Sequence, residues 1–71
     1  MTHYTHAHLG HLAGEVYRCL EQEGRAMSVM DLSVKKRMWP WDVVLAFGWL
    51  QREDKIRLHR RLAALTAELK K

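Results

Sequence analysis

Seventy-one residues make one small domain, of a size that buries only about 60% of its unfolded surface, and so exclude a two-lobed enzyme with a deep cleft. A hydrophobic fraction of 48% and a charged fraction of 28% are those of a folded chain and exclude a disordered tail. The net charge of +4 is uneven: residues 1–31 carry two basic against four acidic residues, a net −2, whereas residues 32–71 carry ten against four, a net +6.

Residues 1–7 hold His3 and His6 and are expected to be a flexible segment ahead of a single domain, as chain termini usually are. Leu9, Leu12, Ala13, Val16, Tyr17 and Leu20 then recur at i, i+3, i+4 and i+7, which predicts an amphipathic helix with His11, Glu15, Arg18 and Gln22 on its wet face. Gly24 is placed to end it in a left-handed cap. Gly10 and Gly14, with Ala7, lie along one edge of this helix. Each glycine costs about 1 kcal/mol relative to alanine, so the edge is expected to admit a closely packed backbone.

Arg25-Ala26-Met27 is short enough for an extended bridge. Ser28-Val29-Met30-Asp31 resembles a capping box with Asp as its fourth member and predicts a second helix. Val29, Leu32 and the stem of Lys36 are expected to face inward, and Lys35, Lys36 and Arg37 suit the negative end of its dipole. Trp39-Pro40-Trp41-Asp42 marks a new helix start. The third helix runs to about Glu53, with Val43, Ala46, Phe47 and Leu50 as its core stripe. Asp54-Lys55 ends it, and Ile56-Arg57-Leu58-His59 alternates as a strand does. Residues 62–69 fit either a helix, through Leu62, Leu65 and Leu69, or a returning strand, through Leu65, Ala67 and Leu69 against Thr66 and Glu68. Met27, Met30 and Met38 are expected to fill the core.

Three helices followed by a β-ribbon is the order of a winged helix-turn-helix domain. Gly10, Gly14-Glu15-Val16-Tyr17, Leu20 and Gly24, then Asp42-Val43-Val44-Leu45-Ala46-Phe47-Gly48-Trp49-Leu50 and Arg52-Glu53-Asp54-Lys55-Ile56, resemble a family of short bacterial winged helix-turn-helix proteins of unassigned function. The likeness spans about residues 9–58, and Ala-Phe-Gly-Trp-Leu through Lys55-Ile56 is its most specific stretch. It implies an α+β, mainly helical fold with a C-terminal hairpin wing over residues 55–69, the C-terminal helix remaining the alternative. Two features depart from the pattern. Trp39-Pro40-Trp41 opens the third helix where relatives have Ser and acidic residues, and Arg60-Arg61-Leu62-Ala63-Ala64 lacks a turn Gly or Asn.

In a helix-turn-helix reader the third helix enters the major groove and meets base edges with hydrogen-bonding side chains. Here its outward face carries Trp41, Leu45, Gly48 and Arg52, flanked by Val44 and Trp49, and only Arg52 could read a base in that way. An outward apolar face is expected to be covered, so Trp41, Val44, Leu45, Gly48 and Trp49 form a candidate protein interface for self-association or another partner. Lys35, Lys36, Arg37, Arg52, Arg57, Arg60 and Arg61 are the candidates for gripping the phosphates of double-stranded DNA, with His59 beside them.

Other chemistries find little support. The single Cys19 cannot form an internal disulfide or build a thiolate zinc site, and is expected to pack as a small hydrophobe. His3, His6, His8 and His11 have no carboxylate or thiolate near them in sequence to complete a metal site. There is no glycine-rich phosphate loop and no nucleophile with a recognisable base, so no enzyme, cofactor or small-molecule ligand is expected. No apolar leader follows Met1, and the run from Val43 to Leu50 is far short of a membrane span. A cytoplasmic regulator that binds DNA, or a non-DNA-binding interaction module on the same fold, is the expectation.

Overall fold

The computed structural model describes residues 4–61 and 64–70. Its elements, in chain order, are α1 (His6–Glu23), β1 (Met27–Ser28), α2 (Val29–Lys36), α3 (Pro40–Arg52), β2 (Ile56–Arg61) and β3 (Ala64–Leu69). The strands form one antiparallel sheet in the order β1-β3-β2. The expected fold class is therefore present, and the last segment is a strand. Ile56 pairs with Leu69 and Arg61 with Ala64, so only two residues separate the ends of the ribbon. Those two, Leu62 and Ala63, lie outside the described residues, as does His3.

α1 starts earlier than its apolar periodicity suggests. The Thr5 hydroxyl accepts a hydrogen bond from the His8 amide at 3.0 Å, satisfying one of the orphan donors of the first turn. Residues 6 and 7, expected outside the folded body, thus belong to the helix. At its other end Gly24 adopts φ 65° and its amide bonds the Leu20 carbonyl at 2.9 Å, the left-handed stop that glycine enters without strain.

The capping box of α2 is present in full. Ser28 Oγ accepts from the Asp31 amide at 3.0 Å, and Asp31 Oδ2 accepts from the Ser28 amide at 3.1 Å. α2 ends in the same left-handed conformation as α1, but at a residue with a side chain, Arg37 at φ 54°. A residue with a Cβ is disfavoured there by about 1–2 kcal/mol. Arg37→Gly is accordingly expected to raise the stability of the fold by about 0.5–1 kcal/mol, after allowance for the lost cation at the helix C-terminus. Chemical denaturation measures this, and a loss of stability would contradict it.

The core lies between the three helices and one face of the sheet. Leu12, Ala13, Val16, Cys19 and Leu20 of α1 meet Val43, Ala46, Phe47 and Leu50 of α3, closed off by Met27, Leu32, Ile56 and Ala67. Cys19 is buried among them as a small hydrophobe. Strand alternation sends Leu58, Leu65 and Leu69 to the same core, while Arg57 and His59 stay exposed. Met27 and Met38 contribute to the core, but Met30 does not: it is 59% exposed on the outer side of α2. α2 has eight residues and one fully buried side chain, Leu32, so its sequence pattern holds too few core positions to fix the orientation of the others.

Candidate nucleic-acid interface

α3 presents its sides to three different neighbours. Val43, Ala46, Phe47 and Leu50 are buried. On the α1 side Asp42 accepts a hydrogen bond from the Tyr4 hydroxyl at 2.7 Å, which holds that hydroxyl above its usual pKa. On the same side the Trp49 indole N–H donates to Glu53 Oε1 at 2.8 Å, and its ring lies 4.6 Å from that of His6. A Cβ placed on Gly10 would sit 3.6 Å from Trp49 Cζ2. The neighbour admitted by the glycine edge of α1 is thus a tryptophan side chain, not a backbone. Trp49 belongs to the α1–α3 seam and is not available to the outward interface expected of it.

The third side faces out. Trp41, Leu45, Gly48 and Arg52 follow the i, i+4, i+7, i+11 spacing of a single helical stripe. Trp41 is 64% exposed, Leu45 is half-buried, and Gly48 and Arg52 are exposed. Val44 is half-buried beside them. Trp39 in the α2–α3 turn and Val34 on α2 are further outward apolar side chains, 78% and 75% exposed. Sequence reasoning left both out of the interface. Val34 stands two positions from buried Leu32, a spacing that turns it away from the core, and this was the available signal.

The basic candidates divide into two groups. Lys35 Nζ lies 3.1 Å from Glu23 Oε2, and Lys36 Nζ lies 3.2 Å from Glu15 Oε2. Arg18 also pairs with Glu15, at 3.2 Å. These ion pairs tie α2 to α1 and partly neutralise two of the cations expected at the phosphates. Arg37, Arg52, Arg57 and Arg60 are exposed and form no ion pair among the described residues. They stand at the helix-turn-helix turn, the end of α3, and the wing. Arg60 shares the strand parity of Ile56 and Leu58, whereas Arg57 shares that of His59, so the two arginines emerge on opposite faces of the ribbon. Arg61 is the last residue of β2, but its side chain is outside those described. His59 Nε2 lies 2.8 Å from Glu68 Oε1 across the strands.

Among the described residues, the N-terminal histidines have separate partners. The His6 ring is tilted against that of Trp49, the His8 ring lies 5.7 Å from that of Tyr4, and His11 faces Glu15 at 3.7 Å. Among the described residues no group of three or more His, Cys, Asp or Glu could hold a metal ion, and no helix is long and apolar enough to cross a membrane.

The acidic partners carry a pH consequence. The Lys36 ammonium beside Glu15 holds its carboxyl below the usual glutamate range, and the Ser28 amide does the same for Asp31. A carboxyl whose pKa is lowered by folding stabilises the fold above its unfolded pKa, and that contribution is lost as pH falls through the folded value. Stability is therefore expected to be constant from pH 7 to about 5 as far as these two groups decide it, and to decline below about pH 4.5. Glu15→Gln should flatten the decline in denaturation midpoints. An unchanged acid slope would contradict the Lys36–Glu15 pair.

Residues 1–68 match the family described as winged helix-turn-helix domain (DUF2582), and the chain belongs to that family. It is also 37% identical over 49 residues to an uncharacterized protein of Methanocaldococcus jannaschii, a match covering 68% of this chain and 70% of the relative. The likeness thus reaches an archaeal protein. No solved structure gives a significant match. The fold suggests DNA binding or regulation in general.

Proposed function

We propose that the protein is a non-catalytic, cytoplasmic DNA-binding regulator that holds duplex phosphates with Arg37, Arg52, Arg57 and Arg60, joined by Arg61, while α3 lies in the major groove. The observation that carries this reading is the placement of arginines that are exposed, and unpaired among the described residues, at the turn before α3, at its end and on the wing of a winged helix-turn-helix fold. These are the parts that flank a groove-bound recognition helix. Lys35 and Lys36 join the grip only by exchanging Glu23 and Glu15 for phosphate, so their contribution is secondary. Phosphate contacts release counterions, and binding to a random-sequence duplex should weaken steeply and linearly in log–log form with salt. Fluorescence anisotropy with a labelled duplex tests this, and absence of binding at low salt overturns it.

A second reading has its own support. The exposed Trp39 and Trp41 with Val34 and Met30 make an apolar surface of the kind used between proteins, where tryptophans are frequent anchors. In that reading Trp41, Val44, Leu45 and Gly48 pair two chains without DNA. Leu45→Glu should then convert a dimer into a folded monomer in sedimentation. A wild-type protein that is already monomeric across the concentration range removes this alternative.

A further inference from the structure

The outward stripe of α3 carries an unusual set of side chains for a helix facing a groove. The major groove offers hydrogen-bonding atoms on every base pair and one apolar feature, the C5-methyl group of thymine. Trp41, Leu45 and Gly48 can form no side-chain hydrogen bond to a base acceptor other than through the indole N–H. Arg52 and the neighbouring Gln51 supply the remaining polar capacity, both at the last turn of the helix.

Gly48 sharpens the point. It lies inside α3, where glycine costs about 1 kcal/mol relative to alanine, yet a Cβ built on it meets nothing within 4 Å. No contact among the described residues requires a glycine there. Its absent side chain leaves room for an outside surface to come close to the helix backbone. The cations at the two ends of α3 select the nature of that surface. Arg37 precedes α3, Arg52 ends it, and Arg57 and Arg60 stand on the wing. A second copy docked on this face by twofold symmetry would bring a like-charged surface towards them, whereas a polyanion complements them.

Building on the proposed DNA binding, we infer that α3 recognises thymine-bearing sequence through apolar contact of Trp41 and Leu45 with thymine C5-methyl groups, with Gly48 allowing the close approach. The discriminating atom is the methyl alone. Two alternating duplexes of equal length, one of dA and dT and one of dA and dU, differ only in that group.

Binding to both is measured by anisotropy at one low salt concentration, for the wild-type protein, Trp41→Ala and Gly48→Ala. The wild type should bind the thymine duplex more tightly by about fourfold for each methyl contacted, the effect of burying one methyl-sized apolar group. Trp41→Ala should lose much of that preference while still binding, because its exposed ring leaves the core intact. Gly48→Ala should melt at a higher temperature and bind the thymine duplex more weakly. Equal binding of the two duplexes by the wild type overturns the inference and leaves the proposed DNA binding standing. A preference that survives in Trp41→Ala undiminished also overturns it, since duplex shape would then be its source. Failure to bind either duplex overturns the inference and the DNA-binding reading together.

Discussion

Phe47→Ala is expected to remove a large share of the stability of the fold and to lower its melting temperature sharply. Phe47 is fully buried and is the largest of the completely enclosed side chains. It occupies the centre of the α3 face that meets α1 and the sheet. Truncating a buried phenylalanine costs about 3–5 kcal/mol, through lost transfer energy and the cavity left behind. At about 0.05–0.15 kcal/mol per residue, a domain of this size has only about 4–11 kcal/mol in hand. Buried Cys19 forms no disulfide, so no covalent link holds the described residues together when packing is lost. Phe47→Leu, which keeps most of the volume, should remain folded and lose less than about 1.5 kcal/mol. Circular dichroism and amide dispersion distinguish the two. Native dispersion in Phe47→Ala with a melting temperature close to the wild type would contradict the central place of this ring.

The second large effect concerns binding. Combining Arg52→Ala, Arg57→Ala and Arg60→Ala is expected to lower affinity for random duplex strongly and to reduce the slope of log affinity against log salt by about two to three. Each phosphate contact contributes close to 0.9 of that slope. All three side chains are exposed and unpaired among the described residues, so the variant should fold as the wild type does. Lys35→Ala with Lys36→Ala should do the reverse. Its salt slope should change little, while its stability falls modestly because Glu15 and Glu23 lose their α2 partners, exposed pairs contributing about 0–1 kcal/mol each. A slope governed by the lysines and indifferent to the arginines would contradict the division of the basic residues described above.

Much of this architecture was legible from local rules. The stripe of α1, its Gly24 stop, the Ser28–Asp31 box and the core face of α3 all depend on residues close in sequence, and each is present in the structure. The wing is a different case. Residues 62–69 fit a helix through Leu62, Leu65 and Leu69 and a strand through Leu65, Ala67 and Leu69, and pairing with β2 decides between them. β1 is two residues long and owes its existence to Met27 and Ser28 meeting Ala67 and Thr66. No periodicity can announce a strand of that length.

The candidate site was less legible because charges and aromatics choose partners across the fold. Lys36 and Glu15 are adjacent only after α2 packs on α1. Nothing in Lys35-Lys36-Arg37 tells which two of the three are engaged. Trp49 is apolar and flanks the outward stripe, but the missing side chain at Gly10 draws it to α1. The α3 stripe of Trp41, Leu45, Gly48 and Arg52 was visible from spacing alone, since a helix with one face fixed in the core fixes its opposite face as well.

The most direct test of DNA binding through α3 and the wing is a heteronuclear NMR titration with random duplex, first at low and then at raised salt. Amide shifts should concentrate at Arg37, along Trp41, Leu45, Gly48 and Arg52, and at Arg57 to Arg60, and should collapse as salt is added. Amides that stay in place at low salt, with relaxation times that fit an association of chains, would contradict DNA binding and make the apolar face of α3 a contact between proteins.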